Sequence, residues 1–394
     1  MCFNSFLKPI IISLLCLTLS QRSLAQSDTV AQVDVITKLA RAIERSMEKR
    51  DPGLLNFVFD TQMMLDKFTN GHQEMDSLDM TAEEVSAFNV DFFEGLDSRL
   101  DMGEVILNGM SYGDSYSYLS KYEQDGNPHI IFSQYTDRGL NYHDFEIQMI
   151  EDKPKITDML VYNTGEWMSE ILGSMYLLGL KQVGEKEDEE SVEGTISLSD
   201  DLNLLIESRD LIKTDEFEEA RKVLEKTSSE FKQQRIYVVL KARVLSEIDE
   251  EEYLSYLDSI SDGVEDVSLY LMSIDAYQLK GEYHKSLENI NKLDSAVGGD
   301  PFLEEFRGDT YWELEEYDKA LLAYEQLEEK MPDYYYGPLA ILYIYIETKQ
   351  YKKAIDKLEF FIDNFYDPEL PEEEAYWDFY KSSEYKRWKE DRQG

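Results

Sequence analysis

The sequence predicts an α+β domain followed by an all-α helical-repeat array. Three observations carry that prediction. Apolar residues switch from helical spacing to strict alternation over Tyr116–Tyr162. A strongly acidic stretch, 181–200, then separates two regions of different pattern. Beyond it Tyr283, Tyr317 and Tyr351 recur every 34 residues (317 − 283 and 351 − 317), each followed three residues later by a small side chain, Ser286, Ala320 or Ala354.

Length and charge bound the functions available. A chain of 394 residues suits two or three domains. Its 82 Asp and Glu against 39 Lys and Arg give a net charge of −43, while 42% hydrophobic residues exclude a disordered acidic polymer. Nucleic acid and anionic lipid need clustered Lys and Arg, so both are excluded as partners.

Residues 1–25 read as an export signal. Lys8 precedes an apolar run over Ile10–Leu19, and Ser23-Leu24-Ala25 supplies small residues for cleavage after Ala25. The run is too short to span a bilayer, and no second one follows, so no transmembrane segment is expected in the mature chain. Cys2 and Cys16, the two cysteines, would leave with the signal. The exported chain, periplasmic or extracellular, would then have no disulfide and no thiolate chemistry. With Lys8 and Arg22 removed, its charge becomes 37 − 82 = −45.

The α+β domain is expected over 26–180. Thr29–Lys49 places Val33, Ile36, Leu39, Ile43 and Met47 on one helical stripe, stopped by Asp51-Pro52-Gly53. A second helix is expected over Leu54–Phe68 and a third from Ala82 to about Leu100, capped by Thr81 with Glu84. Strands follow. Tyr116, Tyr118 and Tyr122 share one strand face, and Ile130–Tyr135 follows the turn Asp125-Gly126-Asn127-Pro128. His143, Phe145, Ile147 and Met149 alternate with Asp144, Glu146 and Gln148, and Lys155–Tyr162 follows Asp152-Lys153-Pro154. After Gly165 a last helix is expected to pack Trp167, Ile171, Met175 and Leu178 on one side. Helices followed by an antiparallel meander resemble the NTF2-like/cystatin-like group, although the closing helix departs from that group's usual ending. The resemblance implies a curved sheet around a long helix. Tyr116, Tyr118, Tyr135 and Phe145 read as its core, and on a cone-shaped sheet they would line a pocket.

The linker 181–200 contains Glu185, Glu187, Asp188, Glu189, Glu190 and Glu193, a self-repelling run that cannot pack. The repeats occupy 201–369. In the best unit Gly308, Tyr311, Ala320, Tyr324, Leu327 and Pro332 stand at spacings that let two helices approach, fill the groove between them and stop the second. Leu342, Tyr345, Ala354 and Leu358 repeat this, as do Tyr277, Tyr283 and Ser286, with Ile274 at the small position. Phe217, Ala220 and Leu224 mark an earlier unit, and the 66 residues from 217 to 283 leave room for one degenerate unit anchored on Val244 and Tyr253. A 34-residue helical period resembles the tetratricopeptide repeat, with about five units here. The resemblance implies antiparallel helix pairs stacked in a superhelix. One capping helix, Glu372–Lys389 with Trp377, Phe379, Tyr380 and Trp388, closes the region 370–394.

In the resembled family, partner segments lie in the concave groove. That implies Asp275, Gln278, Glu305, Asp309, Trp312, Glu313, Tyr336, Tyr343 and Glu347 as groove residues, an acidic and aromatic set. Only the first unit offers cations, Arg209 and Lys213, at such positions. The groove should therefore favour a basic or apolar protein segment and repel acidic tails. Catalytic and metal constellations are weak by comparison. Gly109-Met110-Ser111-Tyr112-Gly113 fits the nucleophile-elbow spacing but precedes a strand-like segment, where the elbow needs a helix. The four histidines, His72, His129, His143 and His284, form no metal-ligand motif, and only His129 and His143 could meet across a hairpin. No phosphate loop or dinucleotide fingerprint occurs. The sequence thus predicts a non-enzymatic, exported interaction scaffold without cofactor. A small-molecule pocket in the first domain and a structural envelope component are the alternatives.

Overall fold

The computed structural model describes residues 35–69, 81–97, 101–136, 139–173, 176, 180, 198–229, 231–261, 267–366, 368, 370 and 374–393. The expected signal at 1–25, the acidic run at 185–193 and His72 lie outside the described residues. The molecule packs as two compact units, Met1–Ile248 and Asp249–Gly394.

Helix α1 (35–48) buries Ile36, Leu39, Ile43 and Met47, the stripe expected from their spacing. The single helix expected over 54–68 is instead two, α2 (Gly53–Val58) and α3 (Thr61–Thr69). Phe59 leaves the helix to bridge Ile156 in the sheet, where the Asp60 N–H donates to the Ile156 carbonyl at 2.8 Å. Asp60 then caps α3, its Oδ1 accepting the Met63 N–H at 3.0 Å. Helix α4 (Ala82–Asp97) opens on the expected box: the Thr81 N–H donates to Glu84 at 2.8 Å, and the Glu84 N–H to Thr81 Oγ1 at 3.2 Å. Helix α5 (Met102–Asn108) was not anticipated, being too short to display a period.

Five strands follow as a simple antiparallel meander: β1 (Ser115–Gln124), β2 (Asn127–Thr136), β3 (Gly139–Ile150), β4 (Lys153–Val161) and the two-residue β5 (Glu166–Trp167). Asp125-Gly126 and Glu151-Asp152 turn the first and third hairpins with left-handed backbone, which matches the twist of the paired strands. One face buries Tyr116, Ile130, Phe132, Phe145, Ile147, Ile156 and Met159 against Leu39, Ile43, Leu55 and Ile106 of the helices.

Two expectations about faces fail. The β1–β2 register shifts between Tyr118 and Ser120. That bulge turns Tyr122 away from Tyr116 and Tyr118, to stack on His129 at 4.7 Å. Trp167 is not in the closing helix but pairs with Leu160 in β5. The closing helix α6, described at 168–173, 176 and 180, buries Leu172, Tyr176 and Leu180 instead, and Met175 and Leu178 lie outside the described residues.

The first unit also holds α7 (Leu198–Lys213), α8 (Phe217–Glu225) and α9 (Arg235–Ile248). Glu166 of β5 accepts the Ile236 N–H at 3.1 Å, so the sheet caps the start of α9. The compact unit thus extends past the compositional linker.

The second unit holds α10 (Glu250–Ser261), α11 (Val267–Leu279), α12 (Tyr283–Val297), α13 (Leu303–Glu313), α14 (Tyr317–Lys330), α15 (Tyr336–Glu347), α16 (Tyr351–Asn364), α17 (Glu374–Lys381) and α18 (Ser383–Gln393). Its repeat is visible atom by atom. The first helix of each pair ends in one motif: Gly281, Glu315 and Lys349 have φ of 68°, 56° and 57°. The next N–H, of Glu282, Glu316 or Gln350, returns to the carbonyl of Tyr277, Tyr311 or Tyr345 at 2.8–2.9 Å. Asp215 and Glu216 make the same turn between α7 and α8. Ser286, Ala320 and Ala354 are fully buried where each second helix meets its first. Lys285, Lys319 and Lys353 each sit 5.2 Å from the ring of Tyr277, Tyr311 and Tyr345. This register gives the helical half the stacked antiparallel helix pairs that the 34-residue period implied. In the degenerate unit, Val244 of α9 and Tyr253 of α10 are buried as expected, and the boundary between the two units falls there.

The single capping helix expected over 372–389 is two. Ser382 breaks it, its Oγ accepting the Tyr385 N–H at 3.1 Å. Phe379 is fully buried with Leu342, Ile346 and Leu358, and closes the last pair. No helix of the described residues is long and apolar enough to cross a membrane.

Candidate functional site

The site is built by the first helices of the last three pairs. Positions 275 and 309, 278 and 312, and 279 and 313 are equivalent in the 34-residue register, so stacking brings them side by side. Asp275, Gln278 and Leu279 of α11, Asp309, Trp312 and Glu313 of α13, Tyr283 at the start of α12 and Tyr336 at the start of α15 line one open cleft of about 730 Å³. Six of the nine residues expected in the groove are among them.

The cleft's polar groups are largely committed to one another. Asp309 Oδ1 accepts the hydroxyls of Tyr324 at 2.5 Å and Tyr336 at 3.0 Å. Tyr283 Oη donates to Glu313 at 3.1 Å, and Gln278 Nε2 donates to Thr310 Oγ1 at 2.9 Å. Trp312 packs edge-on to the buried Tyr324 ring at 6.5 Å. Desolvation raises the Asp309 carboxyl above the usual range despite its two tyrosine donors. Asp275 opens on the cleft, yet protein crowds it, and that desolvation pushes its carboxyl up to about 6.

Three expected residues lie outside this lining. Glu305 is half-buried and accepts the Tyr334 hydroxyl at 2.8 Å. Desolvation pushes it up to about 7, helped by the neighbouring Asp309 charge. Tyr343 packs against Tyr376 of α17 at 5.9 Å, and Glu347 accepts the Tyr317 hydroxyl at 2.9 Å. The last bond repeats that of Tyr283 with Glu313, one unit on. Tyr283 and Leu279 were missed as cleft residues. In the sequence Tyr283 is a repeat landmark, and the register equivalence of 279 with 313 and 347 is the signal that points to Leu279. Arg209, expected in the groove of the first unit, is half-buried and faces Glu166 of the sheet, and nothing is described of the Lys213 side chain.

The first domain arranges its histidines differently. On one sheet face Asp144 lies at the centre of a buried set, 3.0 Å from His129 Nδ1 and hydrogen-bonded by the Tyr122 hydroxyl. Trp167 packs edge-on to His129 at 6.1 Å. On the other face His143 meets the Tyr116 hydroxyl at 3.0 Å and Asn141 at 3.2 Å, and burial lowers its pKa to about 4. The two histidines therefore do not meet across the hairpin. They lie on opposite faces, because β-strand side chains alternate. Tyr116 and Phe145 are core, as expected, and stack or pack against Phe132. Ser111 follows helix α5 and precedes strand β1, the reverse of a nucleophile elbow's order. No group of three or more metal-ligating side chains gathers among the described residues.

No protein-family profile and no curated protein matches the chain. Solved structures that resemble it include MamA of Desulfovibrio magneticus RS-1, with 13% identity over 42% of this chain and 94% of that one and a TM-score of 0.38. A tetratricopeptide repeat protein of Parabacteroides merdae shows 16% identity over 50% and 78%, with a TM-score of 0.40. A thermophilic repeat protein of Thermus thermophilus shows 17% over 42% and 91%, with a TM-score of 0.32.

Proposed function

We propose that the protein is an exported, non-enzymatic scaffold that holds a partner protein in the cleft of its second unit. The carrying observation is convergence. Side chains from successive repeats, Asp275 and Gln278 with Asp309, Trp312 and Glu313, line one cleft together with Tyr336. Its acids and aromatic rings suit a basic or apolar segment in an extended form, and they repel acidic tails. An aromatic residue at the centre of such a surface is where binding energy concentrates.

The test is cross-linking in the native envelope with a photoreactive residue at Leu279, followed by identification of the adduct. A single major adduct that Trp312→Ala reduces at least about tenfold is the expected result. Unchanged cross-linking in Trp312→Ala removes the cleft from the proposal. Export has its own test: N-terminal sequencing of the protein from its producing cell should begin at Gln26.

A further inference from the structure

We propose that Asp275 is a cation anchor: the cleft takes one arginine or lysine side chain of the partner segment, seated at the Asp275 carboxylate beside Trp312 and Tyr336. The inference deepens the scaffold reading and rests on it.

It follows from accounting for every acceptor that faces the cleft. Asp309 is taken by the hydroxyls of Tyr324 and Tyr336. Glu313 is taken by Tyr283, and the Gln278 amide is turned to Thr310. Glu305 and Glu347, at the margins, are held by Tyr334 and Tyr317. Asp309 and Glu313 receive their donors on one oxygen only, whereas Asp275, exposed to the cleft, receives none from the described residues on either. An exposed carboxylate keeps its water, so what a partner's cation gains here is charge attraction, strengthened by the neighbouring carboxylates and the protein walls of the cleft. The surroundings specify what kind of donor. No Lys or Arg lines the cleft, so an anionic or merely polar group would meet uncompensated negative charge from Asp309 and Glu313. Trp312 and Tyr336 line the same cleft with Leu279, so aromatic rings and an apolar contact stand within it for a cation and its methylene stem.

The partner's charge is constant below about pH 9, so the carboxyls of the cleft set the pH response, Asp275 together with Asp309, which desolvation also raises. The groups facing it are Tyr253 of α10, Tyr283 of α12, Asp309 and Glu313 of α13 and Tyr336 of α15. Cation binding requires Asp275 ionised. Affinity is therefore full well above pH 6 and falls as pH drops through it.

The experiment uses the full chain labelled with 5-fluorotryptophan, the Trp312 resonance being assigned by its loss in Trp312→Phe. The probes are N-acetylarginine amide and its uncharged isostere N-acetylcitrulline amide. The arginine probe should shift the Trp312 signal saturably in the millimolar range. Citrulline should bind at least about tenfold more weakly, and Asp275→Asn should lose about tenfold for arginine. Arginine affinity should fall about tenfold from pH 7.5 to pH 5. Glu313→Gln removes a charge from the same cleft but leaves the seat at Asp275, and should change affinity by less than about threefold. Each variant is first matched to the parent by thermal melting. Equal response to the two probes, undiminished arginine binding in Asp275→Asn, or no Trp312 shift at about 50 mM arginine probe overturns the anchor. The two proposals fail separately. A partner adduct lost in Trp312→Ala but unaffected by Asp275→Asn leaves the scaffold standing without the anchor. An adduct indifferent to Trp312→Ala removes the cleft itself.

Discussion

Position 308 has to be glycine because position 324 is tyrosine. A Cβ on Gly308 would lie 2.3 Å from Tyr324 Cε1 and 2.6 Å from its Cζ. The ring cannot swing aside, since it is fully buried and its hydroxyl is held by Asp309. The equivalent pairs solve the same space with other volumes, Ile274 with Ile290 and Leu342 with Leu358, all buried. Gly308→Ala should therefore cost ~1–3 kcal/mol in chemical denaturation. Adding Tyr324→Leu should recover part of that loss, a coupling that a double-mutant cycle reads directly. Glu305 shows the opposite kind of residue constraint, electrostatic rather than steric. Desolvation raises its folded pKa to about 7 from an ordinary carboxylate's 4.5. The neutral form is the one the fold prefers, so this contribution to stability is complete below pH 4.5 and lost as pH rises through 7. Glu305→Gln keeps an acceptor for Tyr334 and should stabilise the chain at pH 8 by ~1–2 kcal/mol, with no gain at pH 4.5. A melt series across pH checks both the sign and the window. Neither constraint could be read from composition. Gly308 reads in the sequence as a small residue where two helices approach, but its contact with the Tyr324 ring, and the tyrosine donors on Asp309 and Glu305, exist only once the helices have stacked.

Elements were legible where they were long and periodic, and illegible where one residue changed the path. The repeats declared themselves because the same contacts are made at fixed intervals, Tyr317 with Glu347 as Tyr283 with Glu313. The capping box at Thr81 was legible for the same reason, a local bond between neighbours in sequence. The break at Phe59 was hidden because its cause, the bridge to Ile156, is nearly a hundred residues away. The bulge after Tyr118 left the alternation on paper intact while reversing the face of Tyr122. Ser382 split the last helix by capping its second half, in a stretch whose aromatic residues read as one stripe. The turn inside each repeat supports a prediction at this scale. Gly281 takes its left-handed backbone without penalty, whereas Glu315 and Lys349 take it with a Cβ. Glu315→Gly and Lys349→Gly should each raise stability by ~0.5–1 kcal/mol, and Gly281→Ala should lower it by a similar ~1 kcal/mol. Urea titration of the three variants separates this from ordinary helix propensity, which would make both glycine substitutions destabilising.

The compact units part where the repeat pattern is weakest. Composition drew attention to 181–200, but the compact units part between Ile248 and Asp249. The physical reason lies in the joint between the sheet and the first repeat. Glu166 of β5 accepts the Ile236 N–H at the start of α9 and faces the guanidinium of Arg209 on α7. Desolvation pushes the Glu166 carboxyl up to about 7, while the Arg209 and Arg235 charges oppose that rise. A fragment that begins at 201 keeps Arg209 and α9 but loses the carboxylate that serves both. A fragment that begins at Asp249 leaves this joint out altogether, with α7 and α9 both before the cut. Residues 249–394 alone should therefore melt cooperatively at the temperature of the second unit in the full chain. Residues 201–394 should show an additional, earlier transition from α7–α9, about 1–3 kcal/mol less stable than in the full chain for want of the buried acceptor. Circular dichroism at 222 nm follows both. Equal stability of α7–α9 with and without the sheet would mean that the joint at Glu166 does not bind the first repeat to the sheet domain, and that the acidic stretch marks the working boundary after all.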